Sequence, residues 1–193
     1  MKDYSQFTVG VLALQGAVSE HIAQLHQLGA KTKIVKIPED LNGLDALVLP
    51  GGESTAMAKL MERLQFIDAI RHFAEQKKPI FGTCAGMILL AKGIEGGEPA
   101  HLQLMDIKVQ RNAFGRQVDS FQTDLDIQGL ASPFPSVFIR APYIVGFDEQ
   151  KVTPLATFNG NLVLAKQEHF LACAFHPELT ADNRVMQLFL EMI

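Results

Sequence analysis

Pro79-Ile80-Phe81-Gly82-Thr83-Cys84-Ala85-Gly86-Met87-Ile88-Leu89-Leu90 is the stretch on which this 193-residue chain turns. An apolar, β-prone run climbs to a cysteine set between small residues, and a helix-forming run follows at once. The spacing Gly-x-Cys-x-Gly is that of a nucleophile elbow, a strained strand-to-helix turn that only small neighbours permit. A thiol held there lies at a helix N-terminus, where the dipole and free backbone N–H groups favour thiolate over thiol. The stretch predicts a strand–turn–helix unit of an α/β sheet and an enzyme built around an activated Cys84.

Upstream, Thr8-Val9-Gly10-Val11-Leu12-Ala13-Leu14 has the continuous apolar character of a strand buried on both faces. A helical segment follows, with Val18, Ile22, Leu25 and Gly29 at i, i+4, i+7 and i+11 and Gly29 as its stop. Strands are predicted at Lys33–Ile37, ended by Pro38, and at Ala46–Leu49, ended by Pro50-Gly51-Gly52. Helical periodicity returns through Met57, Leu60, Met61 and Leu64, and again at Ile67, Ile70 and Phe73. This alternation implies an open, mostly parallel, flavodoxin-like α/β sheet. Ligands in such sheets bind beyond the carboxyl ends of the strands. Leu14-Gln15-Gly16, Pro50-Gly51-Gly52-Glu53 and Thr83-Cys84-Ala85 all fall at such ends.

Downstream of about Leu102 the pattern changes to shorter β-like pieces: 106–109, 121–125, 137–139, 155–158, 162–165 and 171–175. They predict an antiparallel portion added to the same core, with Asn159-Gly160 as a hairpin turn. A closing helix aligns Val185, Leu188, Phe189 and Met192. No repeat, low-complexity tract or linker divides the chain, so residues 1–193 are expected to form one domain.

Composition narrows the function classes. Hydrophobic residues make up 48% and charged residues 20%, ordinary values for a globular protein. A net charge of −4, from 17 basic and 21 acidic groups, lacks the basic footprint of a nucleic-acid binder. Cys84 and Cys173 are too few for a disulfide framework, and no Cys/His spacing is of zinc type. The polar start does not read as a signal peptide, and no apolar run approaches the roughly 20 residues of a bilayer span. A cytoplasmic location is the expectation.

A nucleophilic cysteine needs a base, and the base needs a group to orient it. His21, His26 and His72 fall on helices, and His101 and His169 beside loops or hairpins, so solvated surface is expected for all five. His176 differs, because it begins Phe175-His176-Pro177-Glu178-Leu179. Pro177 keeps His176 extended, and residues i and i+2 of an extended segment project to one side. Glu178 can therefore hold the imidazole, although an exposed His-Pro turn would carry the same letters. Cys173, inside Leu171-Ala172-Cys173-Ala174-Phe175, reads as a buried hydrophobe.

Pro50-Gly51-Gly52-Glu53-Ser54 admits two roles: a strand-to-helix turn with Ser54 as N-cap, or a turn whose backbone meets an oxyanion. In the second case the N–H groups of Gly52 and Ala85 would form the hole. Arg111 and Arg140 stand in polar junctions, where a guanidinium suits an α-carboxylate but a weak surface ion pair is the ordinary role.

Six segments stand in order: Gly10–Val18, Pro50-Gly51-Gly52-Glu53-Ser54-Thr55, Phe81–Gly86, Arg111-Asn112-Ala113-Phe114-Gly115-Arg116-Gln117-Val118-Asp119-Ser120-Phe121, Phe138–Pro142 and Phe175–Thr180. Together they closely resemble the glutaminase subunits of pyridoxal 5′-phosphate synthases, a branch of the class I (triad) glutamine amidotransferases. The resemblance runs from about Val9 to the terminal helix. It implies Cys84 as nucleophile, His176 as base and then acid, and Glu178 as the residue orienting it. It further implies that Gly52, Glu53, Ser54, Arg111, Ile139 and Arg140 bind L-glutamine, and that Gln15 lies near the site facing a synthase subunit. Ammonia would pass to that synthase subunit, with glutamine hydrolysis weak until the partner orders the oxyanion strand. No metal or organic cofactor is expected for this half-reaction. Gln122 stands where the family commonly has an acid. Two other functions keep the same letters: a glutaminase of another class I amidotransferase or a γ-glutamyl hydrolase, and a non-catalytic α/β binding protein with an inert Cys84.

Overall fold

The computed structural model describes residues 2–114 and 119–193; Gly115-Arg116-Gln117-Val118 of the resemblance segment lie outside the described residues. The first half alternates as its apolar runs predict: β1 (Thr8–Leu12), α1 (Val18–Gln27), β2 (Lys31–Val35), β3 (Ala46–Leu49), α2 (Ser54–Arg63), α3 (Phe66–Glu75), β4 (Ile80–Thr83) and α4 (Ala85–Leu90). The two helical runs part at Gln65, whose φ of 62° cannot continue a right-handed helix. β2 ends two residues before the predicted Ile37. The N–H groups of Lys36 and Ile37 donate to the Asp40 carboxylate at 2.9 and 3.2 Å, capping the 3-10 turn Pro38–Leu41 rather than extending the sheet.

The second half supplies β5 (Ala91–Ile94), β6 (Met105–Gln110), β7 (Ser120–Leu125), β8 (Phe134–Ile139), β9 (Tyr143–Phe147), β10 (Thr153–Phe158), β11 (Asn161–Gln167), β12 (Phe170–Cys173) and α5 (Arg184–Leu190). The large sheet runs β2-β1-β3-β4-β12-β11-β9-β6-β5, with β10 beside β11, while β7 and β8 pair separately. Asn159 and Gly160 both take positive φ, 49° and 78°, and turn β10 into β11 as predicted.

One expectation is corrected. The run 171–175, expected among the antiparallel pieces, forms β12 parallel to β4, with Cys173 opposite Thr83, and antiparallel only to β11. The β10–β11 hairpin returns the chain in the direction that lets β12 extend the parallel half. Both faces of β12 are consequently buried, in keeping with its apolar run. The functional result is that β12 and β4 end on the same edge, so the turns leaving the two strands meet at one rim.

The β7–β8 ribbon roofs that rim. Phe121 and Phe138 stack at 4.7 Å, and Phe138 packs 5.5 Å from Phe175, just after β12 and before His176. Phe138 and Phe175 are fully buried, and truncating either to alanine is expected to cost about 3–5 kcal/mol. His176 N donates to Val137 O at 2.8 Å, so the ribbon also holds the histidine by its backbone.

Candidate active site

Cys84 has φ 52° and ψ −108°, a conformation costly for a side-chain-bearing residue, as an elbow demands. Its flanking glycines explain why the strain persists. A Cβ on Gly82 would collide with the carbonyl of Gly86, and one on Gly86 would collide with the carbonyl of Leu49. Cys84 N donates to Cys173 O at 2.7 Å, tying the elbow to β12. Ala85 opens α4, so its N–H has no acceptor within the helix. Cys173 is buried and its thiol lies against Phe175 O, and burial pushes its pKa up, which fits the inert role expected of it.

His176 and Glu178 share a short 3-10 turn, Pro177–Leu179. His176 Nδ1 lies 2.6 Å from Glu178 Oε1, short enough for a charge-assisted hydrogen bond. The His176 side chain is 12% exposed and that of Glu178 is fully buried. Burial pulls the His176 imidazole down, but hydrogen bonds to Cys84 and Glu178 outweigh it and push the pKa up to about 10. With Nδ1 committed to Glu178, Nε2 is the nitrogen left for the thiol. Burial raises Glu178, and the bond from His176 and the nearness of His21 more than reverse it, holding the carboxyl below its ordinary value. Cys84, from the first half of the chain, and the His176–Glu178 pair near its end are thus brought together at the common rim.

His21 corrects a second expectation. It is not on the surface: its side chain is fully buried, with Nε2 3.7 Å from Glu178 Oε2 and 3.3 Å from Thr83 Oγ1. One turn along α1, buried Gln24 donates from Nε2 to the carbonyls of Pro177, Thr180 and Asp182 at 2.9–3.2 Å. Both residues brace the His176–Glu178 turn from behind, and sequence alone singles out neither. The apolar register holds a signal, since 18, 21, 22 and 25 share one helix face. His26 and His72 are exposed as expected, whereas His101 and His169 are partly buried.

The turn after β3 carries the remaining groups. Gly52 has φ 149°, and the turn is pinned by Glu53 N donating to Gln15 Oε1 at 2.8 Å. Gln15 is therefore half-buried beside Gly52 and Glu53. The N-cap of α2 is Glu53, one residue before the expected Ser54: its carboxylate accepts from Thr55 N and Ala56 N at 3.1 and 2.7 Å. Those bonds, helped by Arg111, hold the Glu53 carboxyl below its usual range. Ser54 is buried as the first residue of the helix.

A cavity of about 440 Å³ opens over the elbow, a size usual for small-molecule clefts. Gly52, Glu53, Ser54, Cys84, Ala85, Arg111, Ile139, Arg140 and His176 line it, joined by Ile88, Asn112 and Pro142, which sequence alone does not mark. Arg111 bridges two carboxylates, Glu53 at 3.0 Å and Glu98 at 2.7 Å. Cys84 Sγ lies 3.9 Å from Ile139 O. Arg140 lines the cavity with φ 43°, but its side chain is largely exposed and only loosely paired with Asp119 at 3.5 Å. Gln122 sits exposed on β7 opposite Val137 and does not line this cavity.

The arrangement offers a thiol, a charged imidazole and backbone N–H groups beside a mouth carrying both a carboxylate and a guanidinium, the equipment for acyl transfer on a small zwitterion. Similarity to known proteins points the same way. Residues 11–193 match the model of the SNO glutamine amidotransferase family. The pyridoxal 5′-phosphate synthase subunit PdxT of Pasteurella multocida is 64% identical over 192 residues, covering 100% of both chains. That of Bacillus pumilus is 55% identical, covering 96% of this chain and 94% of its own. A crystal structure described as a glutamine amidotransferase matches with TM-score 0.90 at 47% identity, over 95% of this chain and 97% of the other. PurLQS from Thermotoga maritima, at 15% identity and TM-score 0.74, shares the fold, over 96% of this chain and 98% of that one. On its sequence and on its mixed α/β fold, this chain belongs to the SNO glutamine amidotransferase family.

Proposed function

We propose that the chain hydrolyses L-glutamine to L-glutamate and ammonia at Cys84, His176 and Glu178, as the glutaminase subunit of a pyridoxal 5′-phosphate synthase. The observation that carries the chemistry is the 2.6 Å His176–Glu178 pair on the same sheet edge as the strained Cys84. The relatives' names support the pathway.

The Cys84 thiolate attacks the side-chain amide carbon, and the N–H groups of Gly52 and Ala85 receive the oxyanion. The His176 imidazolium gives its proton to the departing nitrogen, which leaves as ammonia, and a γ-glutamyl thioester remains. His176, now neutral, takes a proton from water; the hydroxide displaces the thiolate, and glutamate leaves. Glu178 keeps the Nδ1–H tautomer throughout. At the mouth, the Glu53 carboxylate suits the α-ammonium and Arg111 the α-carboxylate, with Ser54, Ile139 and Arg140 completing the wall. Gln15, bonded to the Gly52-Glu53 turn, is the group through which a docked synthase subunit would reach the oxyanion strand. The ammonia passes to that subunit within a hetero-oligomer. Free Cys84 and Cys173 suit a reducing cytoplasm. No described helix is long and apolar enough to cross a membrane.

The test is glutamate release from glutamine by the chain with and without the cognate synthase subunit, together with labelling of Cys84 by a glutamine-mimicking electrophile. Release that depends on Cys84 supports the proposal. Absence of both release and labelling in the presence of the synthase overturns it.

A further inference from the structure

We infer that His21, on the opposite side of the triad from the substrate cavity, is a positioning residue: its Nε2–H faces Glu178 Oε2 and fixes the carboxylate so that Oε1 meets His176. The kinetic test of this role rests on the proposed glutaminase function, while the spectroscopic test does not.

Glu178 has two carboxylate oxygens and a fully buried side chain. Oε1 is taken by His176. Among the described residues Oε2 has no hydrogen-bond partner, and besides His176 the cationic-capable group beside it is His21, with Nε2 at 3.7 Å. A buried anionic oxygen left without a donor is costly, so the direction in which the His21 ring points matters.

The surroundings decide the tautomer. His21 Nδ1 is also buried with no partner among the described residues. A proton on Nδ1 would bury an unsatisfied donor and aim the Nε2 lone pair at a carboxylate. A proton on Nε2 leaves only a lone pair unpaired and gives Glu178 and Thr83 Oγ1 a donor. Burial, opposed by the Glu178 charge, lowers the His21 pKa and keeps the ring neutral. The groups acting on it are Glu178 and His176 from the turn after β12, Thr83 ending β4, and Glu20 on its own helix.

At 3.7 Å the contact is longer than a hydrogen bond. In a site without its substrate such bonds are often long, and they tighten when the reaction complex forms. Gln24 holds the backbone of the same turn, which leaves the Glu178 side chain to His21.

His21→Leu removes the donor, and His21→Gln restores an N–H near the Nε2 position. With the synthase subunit present, His21→Leu is expected to lower kcat about tenfold, as for loss of one donor to a charged group. KM stays within about twofold, because no substrate contact is lost. The acid limb of the kcat–pH profile moves to higher pH, since a carboxylate short of a donor protonates more readily. His21→Gln recovers kcat to within about threefold of the unmodified protein. Wild-type kcat and acid limb in His21→Leu would overturn the inference, and so would a His21→Gln as slow as His21→Leu. Nitrogen-15 NMR of the unmodified protein's histidine rings decides independently of activity, even if His21→Leu fails to fold. A neutral His21 ring protonated on Nε2 supports the inference, and an Nδ1–H tautomer or an imidazolium at neutral pH overturns it. Should the unmodified protein release no glutamate, the glutaminase proposal fails while the NMR result still judges His21.

Discussion

His176 Nδ1 stands 2.6 Å from Glu178 Oε1 with a single proline between the two residues. Pro177 fixes φ at the position where the turn must start, and the His176 N–H is already held by Val137 O at 2.8 Å. The carboxylate therefore reaches the imidazole through a segment with little freedom left to lose. Such an arrangement acts through tautomer as much as through charge, because only Nδ1–H leaves Nε2 free to exchange a proton with the thiol.

Glu178→Gln keeps the shape of the pair but offers an amide that can pair with either tautomer. We expect kcat for glutamine hydrolysis to fall by about 10⁴, the loss seen when a triad's orienting carboxylate becomes an amide. KM should move little, since Glu178 does not line the cavity. Steady-state glutamate release with the synthase subunit present measures both. A variant at wild-type rate would remove Glu178 from the triad.

His176 and His21 put opposite pH dependences into stability. For His176, burial is outweighed by Cys84 and Glu178, raising the folded pKa from 6.5 to about 10. Its contribution is complete below the unfolded value of 6.5 and is lost as pH rises toward 10. Burial lowers His21 against the pull of Glu178, so its contribution is complete above the unfolded value of 6.5 and is lost as pH falls. Thermal melts across pH should show both limbs. His176→Asn is expected to flatten the alkaline limb and His21→Leu the acid one. Either variant flattening the wrong limb would reverse these assignments.

What the sequence makes legible is local. Gly-x-Cys-x-Gly, Gly-Gly-Glu and His-Pro-Glu declare their geometry because backbone conformation and close approach restrict them to few residue types. The parallel run of β12 beside β4 is not legible, since strand direction depends on the β10–β11 hairpin and on partners far away in sequence. β5 and β9 escape notice because Gly93 and Gly146 interrupt their apolar pattern. His21 and Gln24 are hidden by a sound rule, that polar residues on a helix face water. They break it because the turn they brace carries a buried carboxylate and carbonyls that an apolar face could not satisfy.

Arg111 joins Glu53 and Glu98 at the cavity mouth, with its own side chain 28% exposed. A pair this exposed adds little to stability, at most about 1 kcal/mol. On the proposed function, its value lies in presenting a fork of donors to the α-carboxylate of glutamine. Arg111→Met is therefore expected to raise KM for glutamine about 10–100-fold, with kcat changed far less and the melting temperature nearly unmoved. A fall in kcat at constant KM would instead place Arg111 with the reacting atoms.

Gly51 separates placement of the imidazole from its chemistry. A Cβ at this position would stand 2.7 Å from His176 Cε1 and 3.3 Å from Cys84 Cβ, so the ring has to move for alanine to fit. The backbone at Gly51 is compatible with alanine, unlike that at Gly52 with its φ of 149°. Gly51→Ala should therefore fold, with an overpacking cost of about 1–3 kcal/mol that lowers the melting temperature by a few degrees. The imidazole, displaced from Cys84 and from Glu178, should cost about 10² in kcat, the scale of a misplacement near 1 Å. Gly146→Ala is the control, because its Cβ would meet nothing closer than Lys108 Cβ at 3.9 Å and its rate should be unchanged. A Gly51→Ala protein with wild-type kcat would mean that the histidine is not held where the chemistry needs it by the turn after β3.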